Sequence, residues 1–214
     1  MIRFGLGRRK SKLEPAQMEG IVNRLAGRSI VMIGLMGCGK SAIGKRLAAK
    51  LAIRFVDADE EIERVAGMTI SDIFTKYGEA HFRDRETKVI TRLLTEGPQV
   101  LATGGGAFMS AETRAAVREH GISVWLRAEL PVLMRRVAKR NTRPLLKTDD
   151  PEAVMRRLMS ERYPVYAEAD LVVESRDVAH EVIVDEIVAA VSGPALRAGP
   201  PAGLLTRGGP TTPV

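Results

Sequence analysis

The residues best placed to do chemistry form one glycine-rich turn, Gly34-Leu-Met-Gly37-Cys38-Gly39-Lys40-Ser41, between the apolar run SIVMI and a segment of helical period. The pattern G-x-x-x-x-G-K-S after a strand and before a helix lets successive backbone N–H groups face a polyphosphate, and the helix dipole adds positive potential. Lys40 can reach the outer phosphates, and the Ser41 hydroxyl can bind Mg²⁺. Cys38 lies inside the loop, where its backbone matters more than its thiol.

A nucleotide hydrolase of the commonest kind would next show an apolar strand ending in Asp to support the metal, yet QVLATGGG ends in glycines. The segment FVDAD supplies other carboxylates, Asp57 and Asp59, two residues apart and on one side if the chain is still extended. One can face the magnesium and the other an incoming hydroxyl. A plainer alternative is that Asp59 caps the following helix and Asp57 is solvated. Gly104, Gly105 and Gly106 allow a ligand to touch backbone N–H groups, or form a simple turn. In GEAHFRDRE, a basic residue could pair with a substrate carboxylate, although Arg83 and Arg85 also read as surface charges. Basic segments held by proline recur at KRNTRPLL and RYPVY, and arginines of that kind can close over a nucleotide.

To position these groups the chain needs a scaffold, and short β-branched runs alternate with segments of helical period. Strands are expected at Ser29–Ile33, Arg54–Val56, Gln99–Ala102, Ser123–Leu126 and Leu171–Val173. Helices are expected at about 40–51, 59–66, 79–95, 110–119, 130–139, 151–161 and 178–191. This is an α/β fold, a three-layer α/β/α domain around a five-stranded parallel sheet, with ligands beyond the carboxyl ends of the strands.

With 214 residues, 45% hydrophobic and 28% charged, the chain is expected to form one folded domain with tails. The expected divisions are a basic extension at 1–28, a catalytic domain at 29–191 and a disordered Pro/Gly-rich tail at 192–214. Residues 15–25 could form a short helix, but Ala16, Ile21, Val22 and Leu25 are too few to demand a partner. The net charge of +7 resides in the ends. Seven basic side chains against Glu14 and Glu19 precede residue 29, while Arg197 and Arg207 lie in the last segment, leaving a neutral body. A neutral body with 4% aromatic residues argues against nucleic acid as a partner. No apolar run is long enough to span a membrane, and early charge argues against a signal peptide, so a cytoplasmic location is expected. The one cysteine excludes an internal disulfide, and His81, His120 and His180 have no metal-ligand spacing.

In order and spacing, GLMGCGKSAIG, VDADEEIE, ISDIFTKYGEAHFRDRE, LATGGGAF, RPLL and ERYPVYAEAD resemble shikimate kinases over about residues 29–190. The resemblance implies strand order 2-3-1-4-5, a mobile lid, and ATP-dependent phosphorylation of shikimate at its 3-hydroxyl with Mg²⁺. It implies that ATP contacts Gly37, Cys38, Gly39, Lys40, Ser41, Ala42, Arg140 and Arg143, and that Ser41 and Asp57 bind the metal. Shikimate would be held by Asp59, Arg83, Gly104, Gly105, Gly106 and Arg162, with Lys40, Asp59 and Arg143 catalytic. Only Asn141 and Thr142 separate Arg140 from Arg143, a short lid. The expected partners are the two small-molecule substrates, with no membrane or nucleic acid, and the expected state is a monomer. The alternatives are a related kinase such as a gluconate kinase, or a nucleotide-binding module without catalysis. Lys40→Ala is expected to abolish turnover in an ADP-release assay while the circular-dichroism spectrum stays unchanged; near wild-type turnover would refute the phosphate-loop assignment.

Overall fold

Strands that are apolar on both faces must be covered on both faces. The computed structural model describes residues 14–138 and 150–193 and shows that arrangement. The strands are β1 (Ser29–Ile33), β2 (Arg54–Asp57), β3 (Gln99–Ala102), β4 (Gly121–Arg127) and β5 (Leu171–Glu174). All pairings are parallel, in the order β2-β3-β1-β4-β5. Central β1 is buried at all five positions. Because Ala102 stands opposite both Met32 and Asp57, the loops leaving β1, β2 and β3 emerge side by side. That register brings the phosphate loop, the aspartates and the glycine run to one edge of the sheet.

Helices α1 (Pro15–Leu25), α2 (Lys40–Leu51), α3 (Ala58–Ala66), α4 (Ile70–Leu94), α5 (Ala111–His120), α6 (Leu130–Ala138), α7 (Pro151–Tyr166) and α8 (His180–Ser192) cover both sides. Helix α4 extends the helix expected over 79–95. Thr69 caps an added first segment, its hydroxyl accepting from Asp72 N at 3.1 Å, and Gly78 (φ 81°) breaks the helical backbone between the two parts. Helix α7 runs through Pro164 to Tyr166, past the expected end at 161.

Helix α1 corrects the expectation that its apolar positions are too few to demand a partner. Ile21 and Leu25, one turn apart, are buried, and the helix packs on α2 and α8. Arg24 reinforces the seat by donating to Gly193 O at 3.1 Å. The expected lid arginines, and most of the expected 192–214 tail, lie outside the described residues. Among the described residues no helix is long and apolar enough to cross a membrane.

Glu61 joins α3 to α4 by accepting hydrogen bonds from Arg64 of its own helix and from Arg92. Those bonds, Arg64 first, hold its carboxyl down at about 2. A depressed carboxyl pKa adds stability that is fully present above the unfolded value and is lost as pH falls through the folded one. Glu61→Gln is therefore expected to lose about 1 kcal/mol in urea unfolding at pH 7. The deficit should shrink from about pH 4.5 towards pH 2; a deficit constant over that window would refute the linkage.

Candidate active site

The phosphate half of the site is built on the start of α2. Gly39 caps it in the left-handed region (φ 100°), where a side chain would be strained, so the helix begins at Lys40 with its first amides facing the loop. Lys40 Nζ donates to Gly34 O at 2.7 Å and Leu35 O at 3.2 Å, spanning the loop. Cys38 turns its thiol into the core, and its carbonyl accepts from Ser175 Oγ at 2.6 Å. Arg136 of α6 donates to Ser175 Oγ at 2.8 Å and to Arg176 O at 2.8 Å, pinning the loop's outer wall to the turn after β5.

Ser41 Oγ donates to Asp57 Oδ2 at 2.7 Å, and Asp57 Oδ1 accepts from Asp59 N at 3.1 Å. Asp57 is thus the N-cap of α3. The capping alternative is corrected in its residue, since Asp59 lies inside the first turn. The extended chain assumed between the two aspartates is also corrected, because it becomes helical at Ala58. Both carboxylates still line one cavity of about 460 Å³ with Lys40 and Ser41.

The acceptor half rests on the three glycines, and the reason for glycine there is close approach by charged groups. A Cβ on Gly104 would stand 2.6 Å from Glu86 Oε1 and 2.9 Å from Asp59 Oδ1; one on Gly106 would stand 2.6 Å from both terminal nitrogens of Arg83. At Gly105 the neighbour is Arg162 Nη1, at 3.4 Å. Side chains from α3, α4 and α7 therefore occupy the space above the floor. Arg162 Nη1 donates to Gly105 O at 2.8 Å, and the Tyr166 hydroxyl donates to the same oxygen. Trp125 of β4 packs edge-on against Tyr163, with ring centres 4.9 Å apart, and against Tyr166 at 5.9 Å. Burial pushes the Tyr166 hydroxyl up to about 12, so it stays a donor.

Arg83 donates to Glu86 Oε2 at 2.6 Å and to Glu79 Oε1 at 3.1 Å. Glu86 is only 2% exposed, and its Oε1 has no hydrogen-bond partner among the described residues. Burial pushes its carboxyl above the usual range, with Arg83 opposing and the Asp59 charge adding to the rise.

The cavity gathers Gly37, Gly39, Lys40, Ser41, Ala42, Asp57 and Asp59 with Arg83, Gly104, Gly105, Gly106 and Arg162. Cys38 does not line it, Arg85 faces elsewhere, and Arg140 and Arg143 lie outside the described residues. Three contributors are not singled out by sequence. Glu86 follows Arg83 by three residues and Tyr166 follows Arg162 by four, spacings that place each pair on one helix face. Nothing in the sequence marks Arg136.

A parallel sheet with this loop at its centre and a charged acceptor pocket beside it defines a P-loop kinase. A family model described as shikimate kinase matches residues 36–192. The shikimate kinase of Mesorhizobium japonicum is 56% identical over 174 residues, 81% of this chain and 86% of that relative. That of Rhodopseudomonas palustris is 58% identical over 171 residues, 80% and 84% of the two chains. The solved shikimate kinase from Acinetobacter baumannii, in complex with shikimate, superposes with a TM-score of 0.74 at 37% identity, covering 80% of this chain and 94% of its own. The chain belongs to the shikimate kinase family.

Adding one methyl to the floor should displace a charge while sparing the fold. Gly104→Ala and Gly106→Ala are each expected to lower kcat/KM for the acceptor by about 10²-fold. Gly20→Ala, exposed in α1 with open space around it, should leave kinetics unchanged and gain about 0.5–1 kcal/mol in unfolding. Wild-type kinetics in both floor variants would refute the close-approach account.

Proposed function

We infer that the cavity transfers the γ-phosphoryl group of ATP to the 3-hydroxyl of shikimate, with its two halves dividing the work. The single observation that carries this assignment is a pair of guanidiniums and a pair of carboxylates set over a glycine floor next to a phosphate loop. The loop amides from Gly37 to Ala42, Cys38 through its backbone, cradle the polyphosphate. The Lys40 ammonium neutralises charge on the outer phosphates. Ser41 and Asp57 present two hard oxygens 2.7 Å apart, a donor set suited to Mg²⁺, which usually takes one or two protein oxygens plus phosphates and water. When bound, the ion neutralises phosphate charge.

Asp59 orients the acceptor hydroxyl and accepts its proton as the oxygen attacks. Arg83 and Arg162 clamp the shikimate carboxylate by paired charge-assisted hydrogen bonds, and the amides of Gly104, Gly105 and Gly106 form the floor. Glu86 is a positioning residue, holding Arg83 in place. Arg140 and Arg143 lie outside the described residues, and the family resemblance assigns them to the nucleotide, Arg143 to the transferring phosphate. The reading requires no second subunit and takes its ATP from the cytoplasm. The catalytic domain is taken as 29–191, with α1 packed against it and the ends outside the chemistry. Gluconate carries a carboxylate too, so the guanidiniums alone do not separate the two acceptors; the family match over residues 36–192 favours shikimate, and a non-catalytic module has no use for Asp59.

The test is a coupled ADP-release assay with shikimate, gluconate and no acceptor in parallel. Shikimate alone should support turnover. Arg83→Ala and Arg162→Ala should each lose about 2–5 kcal/mol in kcat/KM for shikimate, with Kd for ATP unchanged. Lys at either position should restore only part, since an ammonium lacks the planar fork. Turnover with gluconate, or an equal loss of ATP affinity, would overturn the assignment.

A further inference from the structure

A second cavity, of about 660 Å³, opens between α3 and α4 and shares no lining residue with the catalytic one. Its floor is apolar, made by Ile62, Met68, Ile73 and Val89. Of the four large hydrophobic side chains most exposed among the described residues, two stand here, Val65 at 57% and Tyr77 at 47%. Exposed apolar side chains gathered in one concavity give an apolar ligand a place to pack. The volume falls within the range of small-molecule sites.

The rim is cationic. His81, Arg85, Lys88 and Arg92 recur at intervals of four, three and four along α4, so they share one helix face. Lys88 is matched by Asp84 at 2.9 Å, and Arg92 by Glu61 and by Glu96 at 3.7 Å. Arg85 makes no hydrogen bond or ion pair among the described residues, and only the longer-range charge of Asp84, which is already bonded to Lys88, faces it beside the apolar floor. Tyr77 and His81 pack ring on ring, 4.8 Å apart and tilted by 30°, and add a flat wall.

We propose that this groove is a second ligand site, for a small organic anion with a flat apolar body, such as an aryl carboxylate or sulfonate. The floor takes the apolar body and Arg85 takes the anion. Charge disfavours a second copy of the chain as the occupant, because a twofold contact through this face would bring Arg85 and Lys88 towards their own counterparts. The site stands back to back with the acceptor pocket. Ile62 and Ile73 line the groove, Phe82 lines the catalytic cavity, and the three form one small core between them. The Arg83 guanidinium rests 5.1 Å from the centre of the Phe82 ring on the catalytic side.

The probe is anilinonaphthalene sulfonate, an aryl sulfonate whose emission rises when water is excluded, titrated into the full chain with and without saturating shikimate and ADP. One saturable site per chain is expected, unchanged by either substrate-site ligand. Arg85→Glu and Val65→Asp, both on exposed side chains outside the catalytic cavity, should each weaken it at least about tenfold. Shikimate turnover by both variants should stay within about twofold, which shows that they are folded. No saturable binding would overturn the proposal, as would displacement by shikimate or ADP, or equal affinity in wild type and Arg85→Glu. A concentration-dependent dimer that Val65→Asp dissociates would also overturn it, by assigning the groove to a second copy.

Discussion

The acceptor half of this protein is organised by a carboxylate that has almost no access to water. Burial pushes the Glu86 carboxyl up, Arg83 opposes the rise by donating to it, and a buried charge stripped of its partner costs several kcal/mol. The pair therefore fixes the guanidinium, and with it the register of α4 against the floor. Once Arg83 and Glu86 are set, Gly106 and Gly104 have no room for a side chain. Arg162 and Tyr166 then meet on one carbonyl between them, so the floor is held from above and from behind.

Opposite charges are sorted across the same cavity by backbone geometry. The amino end of α2 and Lys40 make one wall positive, which suits a polyphosphate. The end of β2 brings Asp57 and Asp59 to the boundary between the two halves, where a metal and an acceptor proton would both need oxygen. The hydrogen bond from Ser41 to Asp57 ties the helix after β1 to the helix after β2, joining the loop to the carboxylates. Parallel pairing makes this possible, since it delivers three loops to the same edge.

The sequence makes much of this legible, because strong local signals coincide with function. The phosphate loop is a local motif with its own strand and helix, and the three inner strands, β3, β1 and β4, are buried, largely apolar runs. The strand order is legible only through resemblance to a family, because periodicity carries no information about neighbours. What stays hidden depends on tertiary approach. Glu86 looks like any helix acid until burial is known, and Arg136 is one of two adjacent arginines on α6 with nothing to separate them. The three glycines were legible as a floor for a ligand, whereas their second reason, the charged groups standing where side chains would be, needs the packing of three helices. The seat of helix α1 is hidden for a related cause: two apolar residues suffice when α2 and α8 are there to receive them.

The single tryptophan gives the molecule an optical property that its aromatic content alone would not suggest. Two of the three tyrosines, Tyr163 and Tyr166, lie within 6 Å of Trp125 and pass excitation to it, so near-ultraviolet emission arises almost wholly from one point in the chain. That point abuts the side chain whose hydroxyl holds Gly105, beneath the acceptor. The colour and polarisation of the emitted light are thereby tied to the rigidity of the floor, and the protein carries its own label for the half of the cavity proposed to hold the acceptor.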